Sequence, residues 1–330
     1  MPLIAEAAEE SPYSVQVETI GQSRAGRDLY GITAGDGPVS VSLIAGAHAD
    51  EPVGPETLRT LLLAMSEQSA AMDALLSACT LSIIPHINPD GEERNRPWME
   101  DWPSLQTYLK RRVREKPGED LEFGFPGMRP ENRAVSSFLR ARGPFHLHLS
   151  LHGMGLSAGF FLLIERRWGF RTTELQSSLL QLADSHGLAL HDHNRKGEKG
   201  FFYLGAGFNT TPEGTAMRTF FDSKGDPAMA RRFHMSSMEF VRSLGGGPLC
   251  LVTELPLFVM GKEEKGTPEN PETYLACRTA LEDAILSGDG SVEQVEEQFQ
   301  IRPMLLPTAV SIQLAVIEEG VRTVSEALPA

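Results

Sequence analysis

Two hydrophobic rhythms alternate along the chain. Short, nearly unbroken apolar runs bounded by Gly, Pro, Asn and Ser predict buried strands, and longer stretches with apolar residues at i, i+3, i+4 and i+7 predict amphipathic helices. Residues 15–20, 27–34 and 39–46 read as strands, punctuated by Gly21, Gly26, Gly35 and Gly37. Helical spacing starts at residues 55–66, where Leu58, Leu61, Leu62 and Met65 share a face, and resumes at 71–78. Residues 80–85 form another strand, leading into the turn sequence Asn88-Pro-Asp-Gly91. Residues 92–127, rich in charge, Trp and Pro, show little periodicity and read as a long loop. After it come a helix at 130–142, strands at 145–152 and 159–165, and a helix at 172–186 closed by Gly187. Residues 194–225 are Gly-rich and irregular, 226–244 helical, 248–257 a buried strand, 270–287 a helix, and 303–328 one long helix or two.

This alternation predicts an α/β fold: a single domain whose mixed, largely parallel central sheet is covered by helices on both faces. Residues 1–288 are expected to form the body, with 289–330 a helical extension packed on it. Ligands of such sheets bind outside the carboxyl ends of the strands, so residues at those ends carry the functional reading.

Three strand runs end in metal-ligand side chains. The first reaches His48 and Glu51, three positions apart, a spacing that one helical turn brings to about 5–6 Å. The second ends at His152, the third at Glu254. Two neutral imidazoles and one carboxylate make a three-ligand zinc site with a fourth position for water, so one Zn2+ per chain is expected. A carboxylate beside the metal must still take and return a proton. Glu254, at the end of an apolar strand, fits that role because desolvation would raise its pKa. A cation is needed for the oxyanion of a tetrahedral intermediate, and Arg94 and Arg96 are nearest the Asn-Pro-Asp-Gly turn. His146 and His148 read as core or supporting histidines, His191 and His193 as part of an exposed turn, and Trp98 and Trp102 as pocket lining or loop packing.

Composition narrows the classes. At 330 residues, 41% hydrophobic and 22% charged, the chain is an ordinary globular protein able to bury a large core. A formal net charge of −14 disfavours nucleic acid and anionic membrane as partners. The one basic cluster, Lys110–Arg114, is short and reads as a solvated face. The amino terminus lacks the basic and apolar regions of a secretory signal, and Cys79, Cys250 and Cys277 show no pairing pattern. Both point to a reducing, cytoplasmic setting; the oligomeric state is left open.

These motifs together resemble the zinc carboxypeptidases of the M14 type over about residues 15–290. The resemblance rests on Gly21-Gln-Ser-Arg-Ala-Gly26-Arg27, His48-Ala-Asp-Glu51, Asn88-Pro-Asp-Gly91, Ser150-Leu-His152 and Thr253-Glu254-Leu255, in that order. It implies a zinc-carboxypeptidase-like fold, His48, Glu51 and His152 as zinc ligands, Glu254 as general base and acid, and an arginine beyond the Asn-Pro-Asp-Gly turn polarising the scissile carbonyl. Asn88, Glu122, Phe123 and Arg129 are the substrate-contacting positions that follow from it. One departure stands out. Where the family reads Asn-Arg to hold a terminal carboxylate, this chain has Glu122-Phe123, an arrangement expected to repel an anion unless Arg129 or Arg133 supplies a cation.

The leading expectation is a zinc hydrolase acting on a peptide or small amide, with altered recognition of the substrate carboxylate. One alternative is an N-acyl amino acid deacylase resembling aspartoacylase or succinylglutamate desuccinylase, against which the Asn-Pro-Asp-Gly motif counts. A noncatalytic binding module on the same fold is another, against which the retention of Glu254 counts.

Overall fold

The computed structural model describes residue 8 and residues 10–261, 271–287 and 291–328. The expected domain boundary near residue 288 and most of the amino-terminal segment read for a signal lie outside the described residues. In chain order the strands are β1 (Val15–Gln22), β2 (Asp28–Ala34), β3 (Val39–Ala45), β4 (Cys79–Ile84), β5 (Leu147–Ser157), β6 (Gly159–Phe160) and β7 (Leu162–Ile164). They continue with β8 (Ala189–Leu190), β9 (Tyr203–Gly205), β10 (Phe208–Thr210), β11 (Leu249–Val259) and β12 (Arg302–Pro303). Among the described residues ten of them form one mixed sheet, β1-β2-β4-β3-β5-β11-β7-β10-β9, with β12 on β11.

The four central strands, β4-β3-β5-β11, run parallel, and antiparallel pairs flank them. From β3 the chain crosses to β4 on one side and later to β5 on the other, so the strand order reverses beside the carboxyl end of β3. That crevice is where an open α/β sheet binds its ligand.

Alternation along β3 shows why the central runs are nearly all apolar. Val41, Leu43 and Ala45 join a large core with helices Val53–Ala64, Thr173–Ser185 and Leu306–Ala327, while Ile44 points to a second core with Val135, Phe138 and Phe240. A sheet covered on both faces leaves no polar side to its strands. Helix Val53–Ala64 sits so close on β5 that a Cβ at Gly54 would lie 2.2 Å from the Leu151 carbonyl oxygen. This contact fixes the helix that leaves the His48–Glu51 segment against the strand that carries His152.

Residues 303–328 resolve into one long helix, Leu306–Ala327. It reaches the site from behind: the buried Gln313 Nε2 donates to the His152 carbonyl at 3.0 Å and to Thr253 Oγ1 at 2.8 Å, while its Oε1 accepts from Thr57 at 2.6 Å.

Several stretches depart from expectation. Residues 194–225, expected to be irregular, hold strands β9 and β10 and helix Gly214–Ser223. The long loop after Asn88 contains helices Pro89–Met99 and Leu105–Arg111. Asn88 caps the first of these, its Oδ1 accepting from Gly91 N at 3.0 Å, with Pro89 at the first helical position. Turn and helix start use the same residue types, which is why the sequence read only the turn. Residues 226–244 are not one helix but two, Pro227–Ala230 and Ser237–Ser243. Ser236 and Glu239 form a reciprocal capping box that starts the second afresh.

Candidate active site

The parallel register of β5 and β11 pairs His152 with Glu254, so both stand on the same row, level with the carboxyl end of β3, and their two strands run on past it to Ser157 and Val259. His48 and Glu51 follow the end of β3, the neighbour of β5 on its other side. The result is one cluster. His48 Nδ1 lies 2.9 Å from Glu51 Oε1 and 3.1 Å from His152 Nδ1, and His152 Nδ1 lies 2.9 Å from Glu51 Oε2. Ligand atoms of the three residues all fall within 4.8 Å of one another.

These donors suit a small, borderline-soft cation. Two nitrogens on a tetrahedral zinc, each at about 2.0–2.1 Å, stand roughly 3.3 Å apart, close to the spacing of the two imidazole nitrogens. Arg114 Nη2 also approaches His48 Nδ1, at 3.0 Å.

The backs of the ligands are held as well. His152 Nε2 faces Ser150 Oγ at 2.9 Å and Glu122 Oε2 at 3.3 Å. Glu122 in turn accepts from Ser237 N at 3.1 Å and Ser237 Oγ at 2.7 Å. A carboxylate behind a ligating imidazole fixes its ring and strengthens it as a donor. Burial works against ionising His152, but the hydrogen bonds from Glu122 and Glu51 outweigh it and raise its pKa well above the ordinary value.

Glu254 has a different environment. Among the described residues its side chain has no hydrogen-bond partner, and burial, reinforced by the charge of Glu51, lifts its pKa to about 7 against the opposing pull of His152, His48 and Arg114. A carboxylate that titrates near neutrality is fitted to accept a proton and release it again.

The cluster opens into a cavity of about 700 Å3, whose lining includes His48, Glu51, His152, Glu254, Arg114 and Glu122. The arginine at this site is not one of those expected. Arg94 and Arg96 lie exposed on helix Pro89–Met99, paired with Glu115 at 3.0 Å and Glu93 at 2.9 Å, and neither lines the cavity. Arg114 does: its Nη1 donates to Glu51 Oε1 at 2.8 Å and to Asp50 Oδ1 at 3.2 Å. Its position is set by the buried Asn95, whose Nδ2 donates to the carbonyls of Ala49 at 2.9 Å and Val113 at 2.8 Å while its Oδ1 accepts from Val113 N at 2.8 Å. The sequence did contain a signal, the basic cluster Lys110–Arg114, which was read as solvated.

The substrate-contacting positions also redistribute. Asn88 is 1% exposed and its Nδ2 donates to Glu115 at 2.8 Å, so it braces the loop and does not face the cavity. Arg129 immediately precedes helix Pro130–Arg140 without a capping side-chain hydrogen bond, and neither it nor Arg133 lines the cavity. Phe123 does, packed edge-on against Phe233 with ring centroids 5.5 Å apart. Glu122 is turned toward His152 and Ser237, so the expected repulsion of a substrate anion is corrected: its charge is already engaged behind the ligand.

Supporting residues fall partly as read. His148 is buried between Ser42 and Ser237. His191, read as part of an exposed turn, is buried against Phe161 and Tyr274. Trp98 and Trp102 line a separate cavity of about 450 Å3. Asp90 of the Asn-Pro-Asp-Gly motif accepts from Ser23 Oγ at 2.7 Å, Arg27 Nη1 at 2.8 Å and Ala25 N at 2.9 Å, so two of the sequence motifs clasp each other away from the chemistry.

A sheet of this order with two histidines and a glutamate at its carboxyl end is the architecture of the zinc carboxypeptidases, and the chain's resemblance to that family is carried by sequence as well as fold. The family model described as zinc carboxypeptidase matches residues 2–127, a stretch that holds His48 and Glu51. Carboxypeptidase D of Rattus norvegicus is 27% identical over 156 residues, covering 43% of this chain but only 11% of its own length. Carboxypeptidase B of Astacus astacus is 32% identical over 87 residues, covering 26% of this chain and 29% of the relative. The chain thus matches a small part of these relatives. In fold, a metallo-carboxypeptidase from Burkholderia cenocepacia superposes with a TM-score of 0.55 at 12% identity, over 99% of this chain and 68% of that one. The carboxypeptidase A from Helicoverpa armigera gives 0.52 at 15% identity, over 98% and 72%. Among the described residues no helix is long and apolar enough to cross a membrane.

Proposed function

We propose that this protein is a zinc-dependent hydrolase that cleaves a peptide or amide bond, with His48, Glu51 and His152 as the metal ligands. The observation that carries this reading is the convergence of three ligand atoms within 4.8 Å beside a carboxylate whose pKa stands near 7. Zinc held there would supply an activated water at neutral pH and a Lewis acid for the carbonyl. Glu254 takes the proton of the attacking water and returns it to the leaving amine. Arg114 offers N–H donors to the developing oxyanion from the rim of the cluster. Gln313, Ser150 and Glu122 hold the His152 strand and ring in place, and Phe123 gives the cavity an apolar wall where the family carries a cation.

The Glu122-Phe123 pair is the basis for proposing altered recognition of the substrate carboxylate. Neither residue offers a free positive or donor group to an anion, so any carboxylate must be held elsewhere in the cavity. The body of residues 1–288 carries these functions in this reading, with 289–330 bracing the sheet through the helix that bears Gln313.

The test is a digest of a peptide and acyl-amino-acid library followed by mass spectrometry, run with the wild type and Glu254→Gln. The reading expects amide cleavage that falls about 10²–10⁴-fold in the variant while zinc is retained. Cleavage confined to N-acyl amino acids would move the assignment to the deacylase alternative, and zinc binding without turnover on any member would favour the binding module.

A further inference from the structure

The cavity has a second wall that the ligand cluster does not explain. Arg195 and Lys199, on the segment after β8, and Arg278, on helix Pro271–Ser287, all line it. Their counter-charge is thin. One half-exposed carboxylate, Glu198, stands 4.0 Å from Arg195 and 3.8 Å from Lys199, so two cations share a loosely placed anion. Arg278 has Glu282 at 3.5 Å.

Aromatic faces hold these cations more than acids do. Arg195 sits 4.0 Å from the centroid of Phe201, and Lys199 sits 4.8 Å from that of Phe220. Such contacts orient a cation while leaving its N–H groups free to donate. Among the described residues neither side chain donates a hydrogen bond to the protein. Both are about a quarter exposed, 26% and 28%, so the two cations stay reachable from the cavity they line.

Other acids of the cavity are engaged. Glu115 pairs with Arg94, Asp120 accepts from Phe123 N at 3.0 Å, and Glu122 backs His152. Burial lowers the pKa of Arg195 and the like charge of Arg278 adds to it, while Glu198, Tyr274 and Glu254 oppose this. Arg195 and Glu254 line the same cavity.

We infer that Arg195 and Lys199, with Arg278 beside them, form an anion subsite that holds a carboxylate of the substrate while the bond to be cut lies at Glu254 and the His48–Glu51–His152 cluster. It rests on the hydrolase reading above and deepens it: the cation missing at Glu122-Phe123 is supplied by another segment of the same cavity lining. A planar guanidinium pairs with a carboxylate through two parallel hydrogen bonds, and a nearby ammonium adds charge without fixing geometry. The carboxylate has two possible sources, a chain terminus or an acidic side chain next to it.

Three peptides separate these sources: Ala-Ala-Phe-Leu as the free acid, the same peptide as its amide, and Ala-Ala-Phe-Glu amide. Their affinities are measured by calorimetry on Glu254→Gln, which suppresses turnover, and on the same protein carrying Arg195→Met and Lys199→Met. Tighter binding of the free acid than of its amide by about tenfold or more, lost in the triple variant, is expected if the terminus is the anion. Tighter binding of the Glu amide, lost in the same way, assigns the side chain. Arg195→Lys, which keeps charge but not the fork, should retain part of the preference, and a thermal melt checks that each variant is folded. Equal affinity for acids and amide, no binding of any of the three, or a preference that survives the triple variant would overturn the inference. Zinc content is measured on the same samples. A Glu254→Gln protein that holds zinc but shows no preference for acids loses this inference alone, whereas one that holds no zinc loses the hydrolase reading.

Discussion

The two walls of the cavity are built differently. On one side His152 and Glu254 stand opposite each other on adjacent parallel strands, with His48 and Glu51 just past a third, and the ladder register sets their separations. On the other, Arg114, Phe123, Arg195 and Lys199 come from connecting segments whose position depends on buried side chains such as Asn95 and on aromatic packing. A strand end is placed by hydrogen bonds that the local pattern already specifies, whereas a loop residue is placed by contacts distant in sequence. In the proposed hydrolase the sheet side would therefore give the bond-cleaving chemistry a fixed geometry, and the loop side would be where substrate choice can vary without disturbing it.

Substitutions that act on one side and spare the other sharpen this contrast. The largest effect should come from Arg114→Met, expected to lower kcat by about 10²–10³-fold with zinc retained, as for removal of one oxyanion donor. Arg96→Met, on the outer face of its helix, should leave kcat within about twofold, since exposed ion pairs are weak. Steady-state kinetics on the best library substrate compares the two, and equal losses would erase the distinction between them. Next is Glu122→Gln, which should weaken zinc binding by about 10–100-fold in a chelator competition while the far-ultraviolet circular dichroism stays unchanged. An unchanged zinc affinity would return Glu122 to the substrate side of the cavity.

The pH profile gives the most graded effect. Glu254 acts as a base only when ionised, so kcat/KM should fall as pH drops through its pKa, about 7 in the folded protein, by roughly tenfold per unit below it. Positive charge in the ligand cluster favours the ionised form, so the limb is expected at or below that value. A flat profile between pH 5 and about 8 would remove Glu254 from the proton transfer.

Legibility followed the same division. The α/β fold, the central strands and the positions of His48, Glu51, His152 and Glu254 could be read because apolar runs ending in ligand side chains carry both pieces of information locally. Arg114 could not, because proximity in sequence to Asn88-Pro-Asp-Gly91 favoured Arg94 and Arg96, while the two helices that follow carry the chain away and bring it back through Asn95. Glu122 was visible as a departure from the family pattern, but its direction was not: only the packing of helix Ser237–Ser243 shows that its oxygens accept from Ser237 and face His152. Arg195 and Lys199 lay in a stretch that looked merely irregular, since short strands and a single helical turn leave little periodicity to read.

The most direct test of the central claim is elemental analysis of the purified protein beside His152→Ala. The account predicts about one zinc per chain in the wild type and its loss in the variant. A wild type without zinc, or a variant that keeps the full complement, would contradict it.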